Sequence, residues 1–252
     1  MTANTSMLNK VPEVTLWFWI IKILSTTVGE TGADYLAVHV GLGALLTGAV
    51  MGALLIAAMI LQLRADRYVP WRYWLAVVLV SVVGTQITDA LTDGLGVSLY
   101  LSTTVFGISL ALIFAAWYRS ERTLSIRTIV TRRRELFYWA AILCTFALGT
   151  AAGDLATEAL GLGFQLGVVV FAAVIAATAA AYYLGAGEVL TFWIAYIFTR
   201  PLGASLGDLL SQARTYGGLG FGTAVTSALF LAVIVALVTY MSRAEAAVST
   251  RR

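Results

Sequence analysis

Residues 84–96 read GTQITDALTDGLG: a glycine, an aspartate five positions on, and a closing Gly-Leu-Gly turn. Thr85, Asp89 and Asp93 are spaced by four, which stacks them one turn apart along a helix. The layout returns four times. With the chain aligned on Trp19, Trp74, Trp139 and Trp193, glycines fall ten residues later at Gly29, Gly84, Gly149 and Gly203. Aspartates fall fifteen residues later, at Asp34, Asp89, Asp154 and Asp208. The tryptophans stand 55, 65 and 54 residues apart. Four glycines and four aspartates in one register indicate tandem duplication of a unit.

Composition says what the unit is made of. The 252 residues are 60% hydrophobic and 12% charged, with a mean hydropathy of +0.88, far from the usage of soluble domains. With a span of about 20 residues as the ruler, eight apolar segments emerge, near 15–37, 43–63, 72–92, 97–118, 136–159, 164–184, 189–212 and 219–241. The expected fold is an all-α polytopic membrane protein, a single transmembrane domain over 1–252. Its eight transmembrane helices form four tandem two-helix repeats, near 15–63, 72–118, 136–184 and 189–241. An even number of spans per unit makes all four units face the same way, unlike inverted repeats, so a pseudo-fourfold ring or an arc of hairpins is the expected assembly.

The connections alternate in chemistry. After spans one, three and five the break is Gly-Leu-Gly, at 41–43, 94–96 and 161–163, and TYGGLG at 215–220 joins the last pair. The other breaks are basic, and together with the termini they hold 13 of the 16 Lys and Arg residues. The opposite side has only Arg214, while Lys22 and Arg200 lie within spans. The positive-inside rule then places both termini in the cytoplasm, as for a multi-pass protein of the bacterial inner membrane. The N-terminal residues lack the apolar run and small-residue cleavage site of a removable signal, so the first span is expected to be its own insertion signal. The pI near 9.1 follows from these loops, and a nucleic-acid partner is not expected. The arginine run from Arg119 to Arg134 reads as a topology signal that can also attract anionic lipid. The four tryptophans read as an aromatic belt, and His39 as an interfacial residue at the outer mouth.

Acids inside spans demand a reason, because an ionisable side chain at mid-bilayer costs roughly 2.5–3.5 kcal/mol on insertion scales. Fifteen residues at about 1.5 Å each put every aspartate roughly 22 Å from its tryptophan, in the outer half of the layer. A second polar set stacks one turn away: Glu30 before Asp34, Thr85 before and Asp93 after Asp89, Thr150 before and Glu158 after Asp154, Gln212 after Asp208. Seven of the chain's 13 acids are thus within odd spans, against Lys22 and Arg200 alone. Five surplus negative charges are not tolerated in a low-dielectric interior, so several acids are protonated or a bound cation supplies the balance. Lys22 and Arg200 serve either as fixed counter-ions or as movable gates that compete with that cation. An aspartate one turn from a threonine can alternatively be a hydrogen-bond pair that orients helices. The even spans, such as GALLTGAVMGALLIAAMILQL at 43–63, carry small residues and almost no charge, as scaffold helices facing lipid do. The repeat glycines permit either close crossing or a local break, and Pro201 makes a kink expected in the last odd span.

The stretches KILSTTVGETGAD at 22–34, GTQITDALTDGLG at 84–96, GTAAGDLATEALGLG at 149–163 and FWIAYIFTRPLGASLGD at 192–208 resemble the repeat called DUF347, four copies of which build a family of bacterial membrane proteins. The resemblance covers almost the whole chain. It implies architecture, with two spans and a tryptophan per repeat, and brings no list of functional residues.

Function has to be read from the acids. No HExxH, GxSxG, P-loop or nucleotide fingerprint occurs, so an enzyme is not expected. The lone Cys144 and lone His39 exclude a soft Cys/His cage within one chain. Carboxylate and hydroxyl oxygens suit hard ions, so the expected substrate is Mn²⁺, Mg²⁺ or Ca²⁺, with no organic cofactor. The expected activity is a secondary transporter of a divalent metal, manganese first and possible export included, exchanging metal for protons. Asp34, Asp89, Asp154 and Asp208 are the expected ligands. Glu30, Asp93 and Glu158 complete the shell or relay protons, and Thr27, Thr85, Thr150, Ser205 and Gln212 support it. A proton- or cation-selective channel, a small-molecule cation carrier using Tyr35, Tyr196 and Phe192, and a non-transporting sensor or scaffold are the competing readings, and a homo-oligomer is compatible with all of them.

Overall fold

The structure, a computed structural model, describes residues 9–41 and 43–249. Leu42 of the first glycine turn, together with Arg251 and Arg252, lies outside the described residues. Eight long helices follow one another: α1 Leu16–Asp34, α2 Gly43–Leu63, α3 Pro70–Asp89, α4 Leu99–Glu121, α5 Arg132–Asp154, α6 Gly163–Tyr183, α7 Glu188–Ser211 and α8 Thr223–Ser249. There is no strand among the described residues. Seven of these helices are long and apolar enough to cross a membrane. The exception is α1, whose middle carries Lys22, Ser25, Thr26, Thr27 and Glu30.

Local chemistry sets the helix ends. The side chains of Thr15, Ser98 and Thr131 accept backbone N–H bonds at the starts of α1, α4 and α5, and Pro70 opens α3, where a missing N–H costs nothing. At the opposite end, α1, α3 and α5 each run past the repeat aspartate into a single π turn, at Tyr35–His39, Ala90–Gly94 and Leu155–Ala159. A left-handed glycine then turns the chain: Gly41 at φ 74°, Gly96 at 67° and Gly161 at 70°. The fourth unit departs from this. Its α7 passes through Pro201 as one helix and ends at Ser211, followed by a short 3₁₀ turn at Arg214–Tyr216.

The odd helices close on one another. α1 packs against α3 and α7, α3 against α5, and α5 against α7. The repeat glycines are the crossing points, so close packing is their role. A Cβ on Gly84 would lie 2.6 Å from the Cβ of Phe146, and one on Gly149 would lie 2.5 Å from that of Arg200. Gly29 abuts Ser81 and Gly203 abuts Thr26 in the same manner. In each case the partner stands three residues before the glycine of the next unit, and the fourth unit returns to the first. Only glycine lets two helix backbones approach this closely.

The even helices lie outside, with few buried residues each. Each touches its own unit's odd helix but packs more extensively on the odd helix of the next unit. α2 packs on α3, α4 on α5 and α6 on α7, while α8 closes the circle on α1. Each odd helix spends two faces on its ring neighbours, and the groove left on its outer side receives the even helix arriving from the preceding unit.

One correction concerns the tryptophans. Trp74, Trp139 and Trp193 are buried within the protein and form no belt. Trp74 packs on Phe18 and Tyr73, and Trp193 sits against Phe114 and Trp117 with its indole N–H donated to the Leu124 carbonyl at 3.0 Å. One tryptophan per unit in fixed register marks a packing position. At the same end the N-terminal segment is strapped down. Lys10, 1% exposed, pairs with the equally buried Glu135 at 2.6 Å and donates to the Leu63 carbonyl at the end of α2.

Candidate functional site: an axial chamber between the odd helices

Counting from each unit's tryptophan, the ring interior is built in steps of four residues, the row along which helices pack their ridges. One residue before the tryptophan stand Phe18, Tyr73, Tyr138 and Phe192, all buried. Phe18 and Phe192 have ring centroids 6.0 Å apart, and the Tyr73 and Tyr138 hydroxyls share a hydrogen bond of 2.5 Å. Three residues after the tryptophan come Lys22, Val77, Ile142 and Tyr196; seven after, Thr26, Ser81, Phe146 and Arg200; eleven after, Glu30, Thr85, Thr150 and Ala204. The four aspartates form the next level, and Asp93, Glu158 and Gln212 the last.

Arg200 ties the units together. Its guanidinium donates to Glu30 Oε2 at 2.5 Å, to the Thr85 hydroxyl, to the Thr150 hydroxyl at 2.8 Å and to the Thr26 carbonyl at 3.3 Å. Glu30, Thr85 and Thr150 occupy one repeat position in units one, two and three. The fourth copy is Ala204, which is small. The arginine therefore reaches across the axis to every other unit, and its planar fork suits this several-partner geometry as a lysine does not. Lys22 differs. It is 1% exposed, its ammonium has no hydrogen-bond partner among the described residues, and it lies over the rings of Phe146 at 3.9 Å and Tyr196 at 4.4 Å.

Exposure rises toward the glycine turns in the first three units, while in the fourth Asp208 stays buried. Arg200 and Glu30 are buried, Asp34, Asp89 and Asp154 are half-buried, Asp208 is 8% exposed, and Asp93 and Glu158 are exposed at the mouth. Each of the four aspartate carboxylates interacts electrostatically with both Glu30 and Arg200. The result is an acidic funnel with a cationic, hydrogen-bonded floor above an aromatic seal. Among the described residues no three acid, histidine or cysteine side chains are gathered closely enough to hold a metal ion in this state.

The supporting residues divide. Thr85 and Thr150 line the axis as partners of Arg200, and Gln212 borders the mouth, half-buried. Thr27 bonds the Ile23 carbonyl of its own helix, and Ser205 faces Gly167 of α6, so neither belongs to the arginine network. His39 stacks on Tyr35 and meets the Thr223 hydroxyl at the rim. Tyr73 and Tyr138 had no place in the sequence reading, although the four-residue row, continued from Asp89 and Asp154 toward the tryptophans, lands on them. A separate cavity of about 410 Å³, reached between Trp19, Ile126, Tyr182 and Phe192, is mostly apolar and contains none of the repeat acids.

The family models of known repeats match this register. Four consecutive matches to the Repeat of Unknown Function (DUF347) cover residues 17–68, 72–123, 137–187 and 191–247. The chain belongs to the DUF347 repeat family. Every DUF347 match begins two residues before the tryptophan that sets the levels described above, so the family's repeat and the structural layers share one phase. No curated protein and no solved structure matches the chain.

Proposed function

We propose that this DUF347 protein is a secondary transporter of a hard divalent cation, with manganese the first ion to test and protons the exchanged species. In this reading all eight helices span a bacterial inner membrane around a pseudo-fourfold axis, with both termini cytoplasmic and the funnel open to the outside. The observation that carries it is the placement of the four repeat aspartates around one funnel whose inner end is closed by the Arg200–Glu30 pair. Oxygen-only ligands suit Mn²⁺ and Mg²⁺, which keep several waters when bound. The spread of the carboxylates in this state calls for such a hydrated ion, or for inward movement of the side chains on loading.

Arg200 then has a role in the cycle. It is a tethered cation that occupies the deepest carboxylate, so a divalent ion arriving among the aspartates repels it and competes for Glu30. The aromatic seal below makes simultaneous opening at both ends unnecessary and favours an exchanger over a channel.

The test is a thermal-shift titration with Mn²⁺, Mg²⁺ and Ca²⁺ on the wild type and on Asp34→Asn, Asp89→Asn, Asp154→Asn and Asp208→Asn. Ligand at a hundred times its dissociation constant contributes about 2.7 kcal/mol, a readily measured shift. The expected outcome is a Mn²⁺-dependent rise in the wild type that each variant reduces. Equal shifts in all five proteins would remove the aspartates from the site.

A further inference from the structure

The axis below the chamber is lined by groups that cannot serve a metal ion. Lys22 carries three protons, and among the described residues none of them has an acceptor. Tyr196, whose ring lies under the ammonium, is buried, and its hydroxyl makes no bond to Lys22. The Tyr138 hydroxyl lies between those of Tyr196 and Tyr73, interacting with the first and hydrogen-bonded to the second at 2.5 Å. Beyond Tyr73 stands Tyr68, its ring 5.7 Å away, half-buried in the connection between α2 and α3 at the basic end. Four tyrosines thus descend from Lys22 to the surface bearing the termini. They come from α7, α5 and α3 and from the loop before α3, so no single helix or unit explains them.

Packing alone does not account for this line. Two of the four residues preceding the repeat tryptophans are phenylalanines, Phe18 and Phe192, and they fill the same level without a hydroxyl. The other two are tyrosines, and these two bond each other. A buried hydroxyl costs free energy unless it is paired, so a phenylalanine at either place would be the simpler filler. The groups facing Lys22 are Arg200 and Tyr196 of α7 and the ring of Phe146 of α5, with Glu30 two turns along its own helix and the Tyr138–Tyr73 pair beyond Tyr196. The remaining neighbour of α1 is α8, which carries no charged residue before Arg243. No carboxylate is paired with Lys22, whereas Arg200 holds Glu30.

We propose that Lys22, Tyr196, Tyr138 and Tyr73 form a proton path from the closed end of the axial chamber to the basic end of the protein. The lysine gives one proton to the Tyr196 oxygen as that hydroxyl passes its own to Tyr138, and Tyr138 passes one to Tyr73. One proton leaves at the Tyr68 end. Lys22 becomes a neutral amine, and every tyrosine ends as it began. A proton arriving from water on the chamber side restores the ammonium. The Lys22–Tyr196 step lacks a direct hydrogen bond among the described residues, because the ammonium lies over the ring and not on the hydroxyl, which makes it the switch of the path. A seal of rings stops hydrated ions and lets protons through. This inference takes its purpose from the exchanger reading, and its test does not depend on that reading.

The experiment uses the full chain in liposomes with an entrapped pH dye, the membrane potential clamped with potassium and valinomycin. Proton flux is recorded under an imposed pH gradient and, separately, under a Mn²⁺ gradient. Tyr138→Phe and Tyr73→Phe keep the rings and remove one hydroxyl each, and Lys22→Met removes the proton carrier while keeping the stem. Proton flux is expected to fall at least tenfold in all three variants, while the Mn²⁺ thermal shift, set at the aspartates above, persists. Flux unchanged in Tyr138→Phe, or absent from the wild type under both gradients, overturns the path. Wild-type flux under a pH gradient that the tyrosine variants abolish, in a protein indifferent to Mn²⁺, keeps the path and retires the metal.

Discussion

Arg200→Met is expected to destabilise the protein by about 3–5 kcal/mol, the usual cost of removing one partner from a buried ion pair. The arginine is 1% exposed and the Glu30 side chain 11%, so methionine would leave a carboxylate buried beside two threonine hydroxyls with no cation to face. The second change that identifies the cause is Glu30→Gln in the same chain. Removing both charges is expected to recover most of the loss, because replacing a buried pair is far cheaper than breaking it. Arg200→Lys is expected to recover little, since one ammonium cannot reach Glu30, Thr85, Thr150 and the Thr26 carbonyl together. Thermal unfolding in detergent reads all three variants. A single Arg200→Met variant as stable as the wild type would mean that the guanidinium does not hold the units together.

Lys10→Met is expected to cost a similar amount, about 3–5 kcal/mol, at the other end of the molecule. Lys10 and Glu135 are each 1% exposed, and Gln62 donates to the same carboxylate. The ammonium also caps the C-terminus of α2 through the Leu63 carbonyl, where a cation is favoured by the helix dipole. The pair fixes the N-terminal segment to α2 and α5 beneath the aromatic seal. Lys10→Met with Glu135→Leu is expected to regain stability, because both buried charges are then gone. Unfolding midpoints of the single and double variants check this. A single variant within about 0.5 kcal/mol of wild type, the range of ordinary surface changes, would contradict it.

Much of this was readable in the chain because duplication writes the same physical requirement four times. Gly29, Gly84, Gly149 and Gly203 share a register because each must let the next odd helix approach, and the four aspartates share one that sets each within electrostatic reach of Glu30 and Arg200. Other features were not readable. That α2 packs more on α3 than on α1 depends on which apolar groove is free, and apolar helix surfaces such as 43–63 look alike to any neighbour. The π turns after Asp34, Asp89 and Asp154 change the hydrogen-bond ladder by one residue, a shift with no compositional signature. Trp74 and Trp193 were misplaced because a tryptophan near a span's end suits an interface and a buried packing position equally well. The reach of Arg200 lay within the sequence. The four-residue row from Asp208 runs through Ala204 to Arg200, one level below Glu30, Thr85 and Thr150, and stopping at the carboxylates hid it.

A structure determined with Mn²⁺ bound, read by the anomalous signal of the metal, tests most directly whether four equivalent acids share one cation. A single peak on the axis at the level of Asp34, Asp89, Asp154 and Asp208, above an intact or displaced Arg200, is the expected result. Peaks confined to the outer surface, with the four carboxylates apart and the space between them empty of metal, would contradict it.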